Sequence, residues 1–127
     1  MNLAHIPNKK LYFDQVWAQV RKVPSGKVAT YGQIAKLIPV PEGITTRDYQ
    51  RSAARWVGSA MAACPDDVPW QRVINSQGKI RHPTDPNKQK QLLQLEGVTF
   101  SNERIDLQEY QWCGPGQSEI PAQGKLF

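Results

Sequence analysis

Long hydrophobic runs, paired cysteines and clustered histidines are all missing from this 127-residue sequence. No apolar stretch approaches the roughly twenty residues that a membrane-spanning helix requires, so no membrane is expected among its partners. The opening residues, MNLAHIPNKK, have no apolar core of the kind a secretory leader carries. The expected location is the cytoplasm, or the nucleus in a source that has one. Two cysteines, Cys64 and Cys113, stand alone, without a CxxC spacing and with only His5 and His82 as companions. That pattern argues against a disulfide framework and against a zinc site, so no metal and no cofactor is expected.

What the chain has in excess is positive charge, unevenly placed. The net charge is +5, yet residues 21–90 hold twelve basic against five acidic side chains, a net of +7. The two ends together hold four basic and six acidic, a net of −2. A cationic middle is compatible with an ordinary solvated surface. It also suits a polyanion-binding face, because side chains that neutralise phosphates release counterions and gain affinity without reading sequence.

LYFDQVWAQVRKV places Phe13, Val16, Trp17 and Val20 at helical spacing and predicts a first helix over about residues 10–22. After a PSGK turn, Thr30 precedes Gln33 by three residues, a capping-box signature that makes Thr30 the N-cap of a short second helix. PVPEG ends that helix and starts a polar connection expected to run to about Tyr49. RSAARWVGSAMAAC is the expected third helix, stopped by Pro65 and thinned by its alanines, Gly58 and Ser59. Such a helix either packs closely on a neighbour or enters a narrow groove. Residues 68–80 read as two short strands joined by SQG, a hairpin or wing. A fourth helix is capped by Asp85, has Pro86 in its first turn and ends before Gly97, with Leu92 and Leu95 expected to face inward. VTFSNERIDLQEYQW is expected to be extended. One domain over residues 1–112 and a mobile tail over residues 113–127 follow from this division. The element order is that of a mainly α, winged helix-turn-helix domain, which presents one helix to DNA and adds backbone contacts from its wing.

Four blocks, in order, carry a more specific signal: GKVATYGQIAKL (26–37), AARWVGSAM (53–61), VPWQRVINSQGKI (68–80) and LEGV (95–98). Together they resemble the C-terminal domain of the O6-alkylguanine-DNA alkyltransferases over about residues 11–112. In that family the third block reads Pro-Cys-His-Arg-Val and the cysteine takes the alkyl group from guanine. Here it reads Pro69-Trp70-Gln71-Arg72-Val73, and a tryptophan at that place is the mark of the alkyltransferase-like proteins. Trp70 has no nucleophilic atom, and Gln71 cannot serve as the base that lowers a thiol pKa. Glu96, which matches the family's steadying carboxylate, is expected to be structural.

The resemblance implies a protein that binds double-stranded DNA carrying O6-alkylguanine without repairing it, as a monomer, and hands the lesion to nucleotide excision repair proteins. Reading a base edge this way requires taking the nucleotide out of the stack. By the same resemblance Arg55 is the arginine finger that fills the vacated space, and Tyr31 turns the phosphate of the target nucleotide. Trp70, Val73, Ile74, Asn75, Ser76, Tyr31 and Arg81 line the lesion pocket, with Val73–Ser76 contributing backbone. Thr30, Tyr31, Gln33, Ala54, Arg55, Gly58 and Ser59 lie against DNA. From the residues alone, Arg55 reads better as a surface ion-pair partner, for instance of Asp48, and Tyr31 and Trp70 read better as core aromatics; the matched blocks shift the balance to the functional roles. The sequence departs from the family at Cys64, which replaces an asparagine, and in a longer Pro39–Gln50 connection; the family's separate N-terminal domain is expected to be absent. Two other functions remain: an active alkyltransferase using Cys64, and a winged-helix regulator that reads the major groove.

Overall fold

The computed structural model describes residues 6–80 and 85–115. Helix α1 (Lys9–Val20) is capped by Asn8, whose side chain accepts from the Leu11 N–H, and it buries Tyr12, Phe13, Val16 and Val20. Strand β1 (Ala29–Thr30) leads directly into α2 (Tyr31–Lys36). The expected capping box is formed: the Gln33 N–H donates to Thr30 Oγ1 at 3.0 Å and the Thr30 N–H to Gln33 Oε1 at 3.3 Å.

Helix α3 (Thr46–Ala62) begins well before the expected start at Arg51, so residues 46–49 of the expected connection are helix. Thr45 caps it by accepting from the Asp48 N–H at 3.0 Å, and Asp48 places a negative charge in the first turn, where the helix dipole favours one. Apolar periodicity misses these turns because Tyr49 is their only inward-facing ring. The helix ends at Ala62, slightly before the expected Cys64, since the residue before Pro65 is driven out of helical geometry.

Tyr12, Tyr49 and Trp56 form an aromatic cluster with ring centroids 5.8–6.1 Å apart, Tyr12 meeting both other rings edge-to-face, and this joins α1 to α3. Tyr49 donates its hydroxyl proton to the Ala35 carbonyl at 2.9 Å, so at the 2.9 Å contact between the two hydroxyls Tyr12 is the donor. Trp17 donates Nε1–H to the Ala60 carbonyl at 2.8 Å, a second tie between the same helices.

The expected two-stranded hairpin over residues 68–80 is not what forms. Trp70–Arg72 is a single 3₁₀ turn, followed by strand β2 (Val73–Ile74), which pairs in parallel with β1, Ala29 opposite Val73 and Thr30 opposite Ile74. Parallel strands need a long crossover, supplied here by α2 and α3. Alternate strand residues point to opposite faces, so Ala29 and Val73 enter the core under α1–α3 while Val28 and Ile74 enter a second core with Leu93, Val98 and Ile105. After β2 the chain reverses in a tight turn closed by the Asn75 N–H to the Lys79 carbonyl at 3.0 Å. Gly78 sits in this turn at φ +78°, and a Cβ there would collide with the Ile105 carbonyl.

Helix α4 (Pro86–Leu95) starts as expected, with Asp85 accepting from the Lys88 N–H and Pro86 in the first turn. Its inward face differs: Gln89 and Leu93 are buried, Leu92 is half-buried, and Leu95 is 84% exposed. The segment after Val98 is not extended throughout. It contains a short helix α5 (Leu107–Tyr110), capped by Asp106, before Trp112 returns to donate to the Val28 carbonyl at 2.7 Å. The expected tail falls on described residues only through Pro115; residues 116–127 lie outside them.

Candidate nucleic-acid interface

The parallel pairing of β1 and β2 decides which residues meet. Because Thr30 lies opposite Ile74, the next residues, Tyr31 and Asn75, leave the sheet at the same end. Tyr31 and Trp70 are both half-buried and pack on the core beneath α1–α3. The side chains of Val73 and Ile74 are fully committed to the two cores, so only their backbone is free to line a pocket. Asn75 Oδ1 accepts from the Gln77 and Lys79 N–H groups, both at 2.9 Å, and so shapes the turn; Ser76 is exposed on it. Arg81 lies outside the described residues.

Arg55 is exposed on α3 and forms no ion pair with Asp48 or with any other described residue. Ala54 and Ser59 are exposed beside it and Gly58 is half-buried, so the side chains next to Arg55 on α3 are small. The Thr30 and Gln33 side chains form the cap of α2, and Gln33 also donates to the Trp112 carbonyl at 2.7 Å and accepts from Gln111 at 2.9 Å, which holds α2 in position.

Around Trp70 the alkyl-acceptor frame is intact without its acceptor. Glu96, at the end of α4, accepts from Gln71 Nε2 at 2.7 Å, from Arg72 Nε at 3.0 Å and from the Gly26 N–H at 3.1 Å. Arg72 also donates to the Val23 carbonyl at 2.8 Å. The carboxylate therefore occupies the place of an orienting group, but what it orients is an amide. Burial pushes the Glu96 carboxyl up, while the hydrogen bonds from Arg72, Gly26 and Gln71, with the Arg72 charge, outweigh burial and hold it below the ordinary carboxylate range. A depressed folded pKa contributes stability that is complete above the unfolded value, about 4.3, and is lost as pH falls through the folded value. The melting temperature of the Glu96→Gln variant is expected to fall less steeply than that of the wild type below about pH 4.3; parallel slopes would contradict this.

Gln89 is a positioning residue for the Trp70 loop that the sequence pattern does not reveal. It is fully buried in α4 and donates Nε2–H to the carbonyls of Gln71 and Val73, at 3.1 and 2.9 Å, clamping the Trp70 loop from behind. A glutamine inside a helical pattern carries no signal of such a role.

Two depressions reach Trp70 among the described residues, of about 400 and 240 Å³. They are rimmed by Asp66, Asp67 and Asp85 together with Lys88, and neither includes Tyr31 or Arg55. Cys64 lines the smaller one, half-buried, and burial pushes its thiol up to about 12, with Asp66 and Asp67 adding to the rise and Arg21 opposing it. At neutral pH such a thiol is almost wholly protonated and inert as a nucleophile. Among the described residues no group of carboxylates, cysteines and histidines has the arrangement of a metal site.

The comparisons with known proteins agree with this geometry. Residues 12–98 match the model of the 6-O-methylguanine DNA methyltransferase DNA-binding domain. A DNA base-flipping protein of Vibrio parahaemolyticus is 41% identical over 102 residues, covering 77% of this chain and 92% of its own length. Alkyltransferase-like protein 1 of Schizosaccharomyces pombe is 35% identical over 111 residues, covering 80% of this chain and 94% of its own. The crystal structure of S. pombe Atl1 in complex with damaged DNA containing O6-carboxymethylguanine superimposes with a TM-score of 0.66 at 34% identity, over 81% of this chain and 95% of that one. With its acceptor loop built around a tryptophan, this chain belongs to the family of the 6-O-methylguanine DNA methyltransferase DNA-binding domain, on its alkyltransferase-like branch.

Proposed function

We propose that this chain binds DNA containing O6-alkylguanine, turns the modified nucleotide out of the stack, holds it against Trp70 without taking the alkyl group, and leaves its removal to excision repair proteins. The observation that carries this reading is the Trp70–Gln71–Arg72–Glu96 cluster, in which Glu96 accepts from Gln71, Arg72 and Gly26 and neither a nucleophile nor its base stands in the acceptor positions. A loop kept rigid by Glu96 and Gln89 suits recognition, since a pocket wall must be fixed to discriminate. Arg55, exposed on a slim helix face and in no ion pair among the described residues, supplies the planar cation that fills the vacated position and meets the orphaned base. The relative crystallised on damaged DNA supports the same use of the fold.

Hand-off to repair proteins follows from the chemistry: a lesion that is bound and not reversed needs another activity to remove it. The chain acts as a monomer in this reading, since a single arginine and a single pocket address one nucleotide. The major-groove regulator is disfavoured because residues 54–59 of α3 expose, besides Arg55, only small side chains that cannot reach base edges. Affinity for one duplex carrying either guanine or O6-methylguanine at the same position tests lesion recognition. Tighter binding of the modified duplex is expected, and equal affinity would defeat the reading.

A further inference from the structure

The part of α3 that precedes its expected start carries Arg47, and Arg51 stands at that start. With Arg55 they stand at four-residue intervals on one exposed row of the helix. At about 1.5 Å of rise per residue, neighbouring arginines are about 6 Å apart along the axis and the row spans about 12 Å. A strand of duplex DNA presents one phosphate per about 3.4 Å of axis, so the row covers three to four phosphates. Among the described residues none of the three arginines forms an ion pair. Asp48, three residues before Arg51, is the carboxylate at helical pairing distance, yet the two form no ion pair.

Like charges at four-residue spacing repel, so this row weakens its own helix unless something anionic lies along it. The neighbouring row, Thr46, Gln50 and Ala54, lines a groove of about 480 Å³ whose opposite wall includes Gly32 and Lys36 of α2. Lys36 is exposed, so both rims of the groove carry positive charge. Arginine's rigid fork suits phosphate oxygens.

We propose that Arg47 and Arg51 form a phosphate-binding rail that grips the DNA backbone beside the nucleotide addressed by Arg55, adding affinity that is independent of the lesion. The inference rests on the DNA-binding reading above and extends it to residues outside the four family blocks. Two roles then share the row. Arg55 enters the stack, while Arg47 and Arg51 hold the strand next to it.

The test is a salt titration of binding, read by fluorescence anisotropy, for the wild type, Arg47→Gln/Arg51→Gln and Arg47→Lys/Arg51→Lys, each on the guanine and O6-methylguanine duplexes. Each phosphate contact contributes about 0.9 to the slope of log affinity against log salt, so the glutamine variant should lose about 1.8. Its affinity loss between 50 and 200 mM salt should then be about twelvefold smaller than that of the wild type. The lysine variant should recover the slope, and the ratio of affinities for the two duplexes should stay within twofold of wild type. An unchanged slope in the glutamine variant overturns the rail. A reduced slope accompanied by loss of the lesion ratio overturns the separation of the two roles. Failure of the wild type to prefer the modified duplex would instead strike the reading of lesion recognition, and the slopes on unmodified DNA would still decide the rail.

Discussion

Arg55→Ala is expected to weaken binding to an O6-methylguanine duplex by about thirtyfold to a thousandfold, the range for truncating a central arginine at an interface. The flipped state is the one affected. Unstacking and unpairing a nucleotide costs a few kcal/mol, and without a plug the vacated position fills with water or collapses. Arg55 is exposed, makes no ion pair among the described residues and points from the open face of α3, so the free protein should keep its stability. That separates a binding defect from a folding defect. A lesion affinity unchanged in the alanine variant would reject the finger role, and a lowered melting temperature would move Arg55 into the structural framework.

Trp70→Cys alone is expected to give no efficient methyl transfer, whereas Trp70→Cys with Gln71→His should transfer at least about a hundredfold faster than the single variant. An ordinary cysteine is a few per cent thiolate at neutral pH and needs a neighbouring base to become an effective nucleophile. Gln71 Nε2 already lies 2.7 Å from Glu96, so a histidine at that position would enter beside its orienting carboxylate. In the transfer step the histidine takes the thiol proton, the sulfur bonds to the methyl carbon as the carbon–O6 bond breaks, and the guanine anion that leaves is protonated at the expense of the histidinium, directly or through water. Single-turnover transfer from a labelled duplex measures both variants. Rapid transfer by the single variant would show that the base is dispensable, and equal rates would show that Glu96 orients nothing useful.

Much of the candidate site was legible because it is written in local signals. Thr30 and Gln33 announce their capping box, Asp85 and Pro86 announce the start of α4, and the Pro-x-x-Arg-Val frame survives around Trp70. What was not legible depends on partners far away in the chain. The pairing of Ala29–Thr30 with Val73–Ile74 turned an expected hairpin into one strand of a parallel sheet, and no local pattern encodes that register. Leu95 fits an inward helical position by spacing, yet Gln89 and Leu93 hold that face because Gln89 finds two backbone carbonyls there. The early start of α3 is hidden for the same reason that it matters: its outward residues are arginines, and only Tyr49 marks the side that is buried.

The central claim is that the loop recognises an alkyl group and does not take it. Stoichiometric protein incubated with a duplex labelled on the O6-methyl group, followed by isolation of the complex and separation of protein from DNA, tests this directly. The account predicts a stable complex in which all label remains on the DNA. Label found on the protein, at Cys64 or anywhere else, would contradict it.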